Sequence, residues 1–138
     1  MKRASVEPKW LSKRMLLAIH DEAVEMFGGT AGIRDEGLLE SALSRPQNRH
    51  AYESEATLFD LAASLGHGVC KNHPFLDGNK RTALLSARAF LFLNGLAFEP
   101  REVDEVENMV AVASGTLDES GLAAWLKEFS APIKAGRK

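Results

Sequence analysis

The sequence predicts an all-α fold, a compact bundle of five to six helices around a central buried helix at about residues 79–93. Three observations predict it. Apolar residues recur at positions i, i+3, i+4 and i+7 in one segment after another, the spacing of a helix that buries one face. No segment alternates apolar and polar residues strictly over four or more positions, as a half-buried strand does. Glycine, proline and an Asn-Gly pair separate the periodic segments.

The predicted helices lie between polar caps and helix-breaking residues. Their expected limits are about 10–27, 35–44, 55–71, 79–93, 103–114 and 118–129. Ser12, Asp35 and Asp118 are candidate N-caps, because a short polar side chain accepts a hydrogen bond from the first helical turn. Pro46 is expected to end the second helix, since the residue before a proline disfavours helical geometry. We therefore expect residues 46–54 to be irregular.

The helix at about 79–93 is apolar on most of its sides, which suits a helix that neighbours cover on every face. Residues 96–101 are expected to form a connector, and residues 131–138 a frayed end. The 138 residues are enough for a single domain with its own core, which we place at about residues 10–129 between short flexible tails.

Charge and composition exclude several classes of protein. The 17 lysines and arginines nearly balance the 19 acidic residues, so no global basic field predicts direct nucleic-acid binding. The longest apolar run, Ala83–Leu93, is far shorter than the roughly 20 residues that a membrane-spanning helix needs, and no signal peptide is expected. The single cysteine, Cys70, cannot form an internal disulfide, which favours a cytoplasmic location.

The chemistry is concentrated in the run HPFLDGNKRT, residues 73–82, between two predicted helices. A helix N-terminus carries unpaired N–H groups and a partial positive charge, so it favours an anion. Gly78 lets the backbone approach such an anion closely, and Asn79 offers a side-chain amide. Arg81 adds a planar fork for phosphate oxygens, and Lys80 adds a point charge.

Two further residues of this run complete a reactive set. Asp77 is a hard oxygen ligand beside the predicted anion site, and Mg²⁺ is usually bound through one or two carboxylates together with substrate phosphates. His73 is a candidate general base for a hydroxyl group. A base, a metal-binding carboxylate and an anion site predict phosphoryl or nucleotidyl transfer from a nucleoside triphosphate to a hydroxyl.

A metal site at His67, Cys70 and His73 is the competing interpretation of this region. Successive members lie about 60° apart around a helix, so the three side chains fan out instead of converging on one ion. We expect His67 to be packed and Cys70 to be a small core residue.

The motif His-Pro-Phe-x-Asp-Gly-Asn-x-Arg at residues 73–81 resembles the signature of the Fic/Doc family. The runs at residues 32–43 and 79–84 are similar to the death-on-curing (Doc) toxins within that family, and the resemblance covers roughly residues 10–129. It implies a compact Fic-like helical bundle. It also implies a role for each motif residue: His73 as general base, Asp77 as a ligand of Mg²⁺, Gly78, Asn79 and Arg81 as ligands of the ATP phosphates, and Phe75 as a buried anchor.

Two positions bear on which group is transferred. Adenylylating Fic enzymes usually have glycine at the position of Lys80 and a second arginine at the position of Leu84. Doc-like members share the lysine, and the resemblance implies that this chain, like them, presents the γ-phosphate of ATP and phosphorylates a threonine of elongation factor Tu, which blocks translation. Pro74 and Gly78 follow the general Fic pattern, so transfer of AMP is the alternative. An inactive module that only binds a nucleotide or a partner is the second alternative.

The resemblance also implies a partner and a mode of restraint. Neither Glu36-Gly37 nor Glu107-Asn108 has Ser or Thr four residues before the glutamate, so the Ser/Thr-x-x-x-Glu-Gly/Asn inhibitory motif of many Fic proteins is missing from this sequence. We expect restraint by a cognate antitoxin whose Phd-like C-terminal segment binds near residues 10–27 and 28–50. The loop at residues 34–36 begins a helix and is a candidate flap for a target peptide.

Overall fold

The computed structural model of the chain describes residues 7–134 and confirms the all-α prediction. It has six helices and two short strands: α1 (Lys13–Phe27), α2 (Glu36–Tyr52), α3 (Leu58–Asn72), α4 (Asn79–Leu93), β1 (Leu96–Phe98), α5 (Glu102–Ser114), α6 (Glu119–Glu128) and β2 (Ser130–Pro132). No helix in this described part is both long and apolar enough to cross a membrane. The expected tails fall largely on residues 1–6 and 135–138, which lie outside the described residues.

Two helices share the centre of the bundle. The predicted central helix α4 has the expected limits and packs against α1, α3, α5 and β1. Its neighbour α3 packs against α2, α4, α5 and α6, and nine of its residues are buried. Gly66 allows the close approach of α3 to α4, because a Cβ atom there would lie 3.3 Å from the Ala83 carbonyl oxygen.

The predicted caps form as the residue types require. The side chains of Ser12, Asp35 and Asp118 each accept a hydrogen bond from the backbone N–H three residues further on. Another cap begins α3, where Thr57 and Asp60 form a reciprocal capping box. Residues 53–57 are not helical, so α3 starts at Leu58, three residues after the predicted limit at residue 55.

The expectation that Pro46 ends α2 is wrong. The helix runs through a buried Pro46 to Tyr52. Arginine side chains on either side of the proline hold this half of the helix in place: Arg45 bonds to Glu119 at the start of α6, and the Arg49 Nη1 atom lies 2.8 Å from the same carboxylate. These long-range ion pairs and the packing of α2 on α3 offset a proline penalty of about 3 kcal/mol.

The connector and the frayed end predicted around residues 96–101 and 131–138 are partly wrong as well. Strands β1 and β2 pair antiparallel, with Leu96 opposite Pro132, Ala97 opposite Ala131 and Phe98 opposite Ser130. Three-residue strands are too short to show an alternating pattern. Core packing supports this pairing, because the buried Phe98 ring contacts the Trp125 ring of α6 edge-on, with the ring centroids 5.1 Å apart.

Candidate active site

The loop at residues 73–78 joins α3 to α4 through a sharp reversal. His73 is the C-cap of α3 and adopts the left-handed conformation, with φ 56° and ψ 53°. It is the only non-glycine residue with positive φ in the described part of the chain. The turn leaves its side chain exposed, while Pro74 and Phe75 point into the core. Phe75 is fully buried, which confirms the predicted anchor.

The segment at residues 32–35 pairs with this loop, and we call it the flap segment because it overlaps the candidate flap at residues 34–36. Ile33 and Phe75 form an antiparallel bridge, and the Leu76 N–H group donates to the Gly32 carbonyl at 3.0 Å. The Arg34 guanidinium also donates to the carbonyl groups of Asn72, the last residue of α3, and of its C-cap His73. The flap segment therefore fixes the loop from its outer side. Whether it also holds a target peptide stays a prediction.

His20 holds the loop from the inside, and sequence reasoning missed it. Its buried ring stacks on Phe75 with centroids 3.8 Å apart and planes within 7°. Its Nε2 atom lies 2.8 Å from the Asp77 carbonyl oxygen, and because that oxygen can only accept, Nε2 carries the hydrogen. The available signal was a histidine inside the apolar stripe of α1, between Leu16 and Ala23.

The Asp77 carboxylate is exposed at the mouth of the site. Its Oδ1 atom accepts from the Gly78 N–H group at 3.0 Å, and its Oδ2 atom accepts from Thr30 N–H at 3.2 Å. Each oxygen keeps a lone pair for a cation. Within residues 7–134, no three His, Cys, Asp or Glu side chains are grouped to hold a metal ion. Asp77 thus fits Mg²⁺ bound by one carboxylate, with phosphates and water as the other ligands.

Helix α4 begins directly after the carboxylate. Gly78 is its N-cap in the left-handed conformation, φ 73°, which explains why glycine is needed. No side chain of the described residues caps this end, so the first backbone N–H groups of α4 face the site without a capping partner. Lys80 is exposed and Arg81 is half-buried. The start of α4 therefore has the groups that an anion site needs, and anion binding there stays a prediction.

The side chain of Asn79 does not lie where the sequence predicted. The residue is buried, its Oδ1 atom accepts from Phe75 N–H at 3.0 Å, and its Nδ2 atom donates to the Phe75 carbonyl at 3.0 Å. The amide thus closes the loop on itself instead of projecting a donor from the mouth. Ligand binding by Asn79 stays a prediction that now rests on its backbone N–H group.

A cavity of about 300 Å³ brings the predicted residues together. Its walls are formed by His73, Asp77, Gly78, Asn79, Lys80, Arg81, Leu84, Glu105, Val106, Met109 and Val110. The size is at the lower end of the range for small-molecule sites. The last four residues belong to α5 and were missed, because the sequence of α5 has only the apolar spacing of an ordinary packed helix.

Arg81 has an aromatic neighbour outside the cavity. Its guanidinium carbon lies 4.0 Å from the centre of the Phe27 ring at the end of α1. A cation over an aromatic face is stabilised by the ring quadrupole. Phe27 is itself 57% exposed, as is its neighbour Met26 at 69%. Arg81 of α4, a predicted phosphate ligand, is therefore held in place by the exposed Phe27 side chain of α1.

His67, Cys70 and His73, the residues of the alternative metal site, are not grouped around a common point in the described part of the chain. His67 is partly buried and faces Glu119, with Nδ1 to Oε1 at 3.9 Å. Burial lowers the pKa of His67 more than this carboxylate raises it. Cys70 is buried in the core, and burial raises the pKa of its thiol. Both residues are packed, as expected.

Comparison with known proteins identifies the family of this chain. The sequence profile of the Fic/DOC family matches residues 10–91, which include α1, the flap segment, the loop and most of α4. The chain belongs to the Fic/Doc family. The match to the loop agrees with the resemblance carried by residues 73–81.

Two relatives extend the similarity over most of the chain. The protein named Protein kinase doc of Escherichia phage P1 is 36% identical over 120 residues, which cover 86% of this chain and 94% of that protein. The protein named Toxin Doc of Mycolicibacterium smegmatis (strain ATCC 700084 / mc(2)155) is 38% identical over 113 residues, which cover 80% and 87% of the two chains. The similarity to both therefore reaches beyond the part matched by the family profile.

Proposed function

We propose that this Fic/Doc protein is the toxin of a type II toxin-antitoxin module, and that it transfers phosphate from ATP to a Ser or Thr hydroxyl of a protein target. By resemblance the target is elongation factor Tu, and its modification blocks translation. One observation carries the proposal: His73, Asp77 and the uncapped N-terminus of α4 border the same cavity. The relatives named Protein kinase doc and Toxin Doc support it.

The proposed reaction assigns one task to each group. The exposed His73 takes the proton of the target hydroxyl as its oxygen attacks the γ-phosphorus. The bond from that phosphorus to the bridging oxygen breaks, and ADP leaves. The N–H groups at the start of α4, together with Lys80 and Arg81, bind the phosphate oxygens and stabilise their charge. Asp77 would hold Mg²⁺, which supplies further neutralisation of phosphate charge when bound.

Lys80 and Leu84 favour transfer of phosphate over transfer of AMP. Both residues line the cavity, on the first and second turns of α4. Lysine places bulk and charge where a bare backbone would otherwise receive a nucleotide phosphate. Leucine provides no cation for the far end of a triphosphate. These two side chains therefore support a donor whose terminal phosphate lies at the helix N-terminus.

The mass of the modified target tests this proposal. The protein is incubated with ATP, Mg²⁺ and a cell lysate, and intact target masses are measured. We expect a gain of about 80 Da, the mass of one transferred phosphoryl group, and not the roughly 329 Da of AMP. Label from α-labelled ATP on the target would contradict phosphate transfer and support the adenylyltransferase alternative. A His73→Asn preparation serves as the control for modification by lysate enzymes.

We also propose that a cognate antitoxin with a Phd-like C-terminal segment covers the end of α1. Met26 and Phe27 are exposed there, and the Arg81 guanidinium packs over the face of the Phe27 ring. Adjacent exposed apolar side chains are a feature of protein-binding surfaces. A segment bound to Phe27 would also restrict access to Arg81, which links neutralisation to the active site.

Substitution of one exposed residue tests the antitoxin surface. Met26→Asp is expected to weaken binding of the antitoxin from the same operon by about tenfold or more, the loss typical of an important interface residue. Calorimetric titration measures this, with Phe92→Asp as the matched control, because Phe92 is exposed on α4 outside the predicted surface. Equal affinities of Met26→Asp and the parent would exclude this location.

A further inference from the structure

Glu105 is a carboxylate in the cavity that the proposed reaction does not use. It lies on α5, opposite the loop, and its side chain is only 15% exposed. Its one ion partner among the described residues is Arg88, whose Nη2 atom is 3.8 Å from Oε2. That distance is too long for a hydrogen bond. In residues 7–134 the Glu105 carboxylate thus has a nearby charge but no hydrogen-bond donor.

Arg88 is held by other contacts. Its Nε atom donates to the Phe98 carbonyl at 3.1 Å, and its guanidinium carbon lies 5.4 Å from the centre of the Phe98 ring. Arg88 is therefore tied to β1, and its position does not depend on Glu105. The Glu105 carboxylate is mostly shielded from water and has no hydrogen-bond donor among the described residues, so it is free to accept a hydrogen bond from a ligand.

The rest of this wall identifies the kind of ligand. Val106, Met109 and Val110 of α5 line the cavity together with Glu105, and so does Leu84 of α4. These apolar side chains suit the flat face of a base, whereas the negative Glu105 repels phosphate. The cations that line the cavity, Lys80 and Arg81, and the free N–H groups belong to the first turn of α4, whereas Glu105 belongs to α5. This distribution of charge favours a nucleotide whose phosphates lie at the start of α4 and whose nucleoside lies against α5.

We propose that Glu105 determines nucleotide specificity by accepting a hydrogen bond from the nucleoside part of the donor. This inference rests on the proposed function, since it assumes that ATP binds in this cavity. Adenosine has two kinds of suitable donor, the ribose hydroxyls and the exocyclic amine of the base. A carboxylate accepts from either more strongly than a neutral group does.

Calorimetric titration with a non-hydrolysable ATP analogue and Mg²⁺ tests the proposal. Glu105→Ala should weaken binding by roughly tenfold to a hundredfold, the range for a hydrogen bond to a charged group. Glu105→Gln keeps an acceptor oxygen and should lose less. Arg88→Met is the matched control, because it removes the ion partner and leaves the cavity carboxylate; it should retain the parental affinity.

Other ligands identify the hydrogen-bond donor. If the ribose supplies it, the difference between Glu105→Ala and the parent disappears with 2′- or 3′-deoxy analogues. If the amine supplies it, the difference disappears with a GTP analogue, which has a carbonyl oxygen at that position of the ring. Persistence of the difference with every one of these ligands would contradict a direct hydrogen bond.

Stability separates a ligand-binding role from a structural one. Without nucleotide, Glu105→Ala should unfold at a temperature no lower than the parent does, because the removed carboxylate has no hydrogen bond to lose. If Glu105→Ala and Arg88→Met both lower the unfolding temperature and both weaken nucleotide binding, the two residues form a structural ion pair. That result would overturn the inference. A parent that binds ATP no better than Glu105→Ala would overturn it while leaving the proposed function intact. A parent that binds no ATP would overturn both.

Discussion

Replacing His73 is expected to lower the rate of group transfer by about 10²–10⁴-fold, the usual contribution of a general base. The exposed imidazole stands at the end of α3, beside the uncapped start of α4, and borders the cavity with Asp77. Without it, the attacking hydroxyl keeps its proton as the new bond forms. Nucleotide affinity should change little, because the phosphate contacts come from α4.

The backbone at His73 decides which variant is informative. Its φ of 56° is costly for most residues, and asparagine tolerates this conformation better than alanine does. His73→Asn therefore removes the base with the least backbone strain, and His73→Ala serves as the second variant. Initial rates with purified target at saturating ATP measure the loss. A variant that modifies its target as fast as the parent would contradict the role of His73 as general base. A variant that arrests growth as effectively as the parent, with no target modified by either protein, would support the inactive binding module instead.

Replacing Phe75 is expected to have the largest effect on stability. Phe75→Ala should lower the free energy of unfolding by about 3–5 kcal/mol, as large-to-small changes at fully buried aromatic residues do. The ring has no solvent exposure and stacks on His20 at 3.8 Å. Its loss also removes support from the backbone that carries Asp77, since His20 holds the Asp77 carbonyl. Activity should therefore fall even in the folded fraction.

Denaturant unfolding at constant nucleotide and salt measures this change. Phe92→Ala is the matched control, because it removes the same atoms from a side chain that is 63% exposed. The control should stay within about 0.5 kcal/mol of the parent. Similar losses at the two positions would show that Phe75 is not an anchor of the loop.

Local chemistry explains what could be predicted. The limits of α4 and the caps at Ser12, Asp35 and Asp118 depend on residues within one or two helical turns, so the sequence contains the information. The run at residues 73–82 is similarly local. Its residues border one cavity because a left-handed turn and a glycine N-cap place them there.

Contacts between distant segments explain what could not be predicted. Helix α2 continues past Pro46 because two arginines reach Glu119, some 70 residues later in the chain. Strands β1 and β2 exist only as a pair, and neither has a pattern of its own. The periodicity of one segment does not report its contacts with distant segments. Helix ends predicted from periodicity are therefore wrong where tertiary packing overrides local preference.

The sequence by itself determined the family, the all-α class and the loop residues 73–81 of the candidate active site, since each depends on short-range spacing. Only the tertiary structure decided how they are supported and completed. It placed His20 of α1 under the loop, turned the Asn79 amide inward, set Phe27 against Arg81 and brought Glu105 of α5 to the far wall of the cavity. These four results depend on which helices become neighbours, and packing of the whole core decides that.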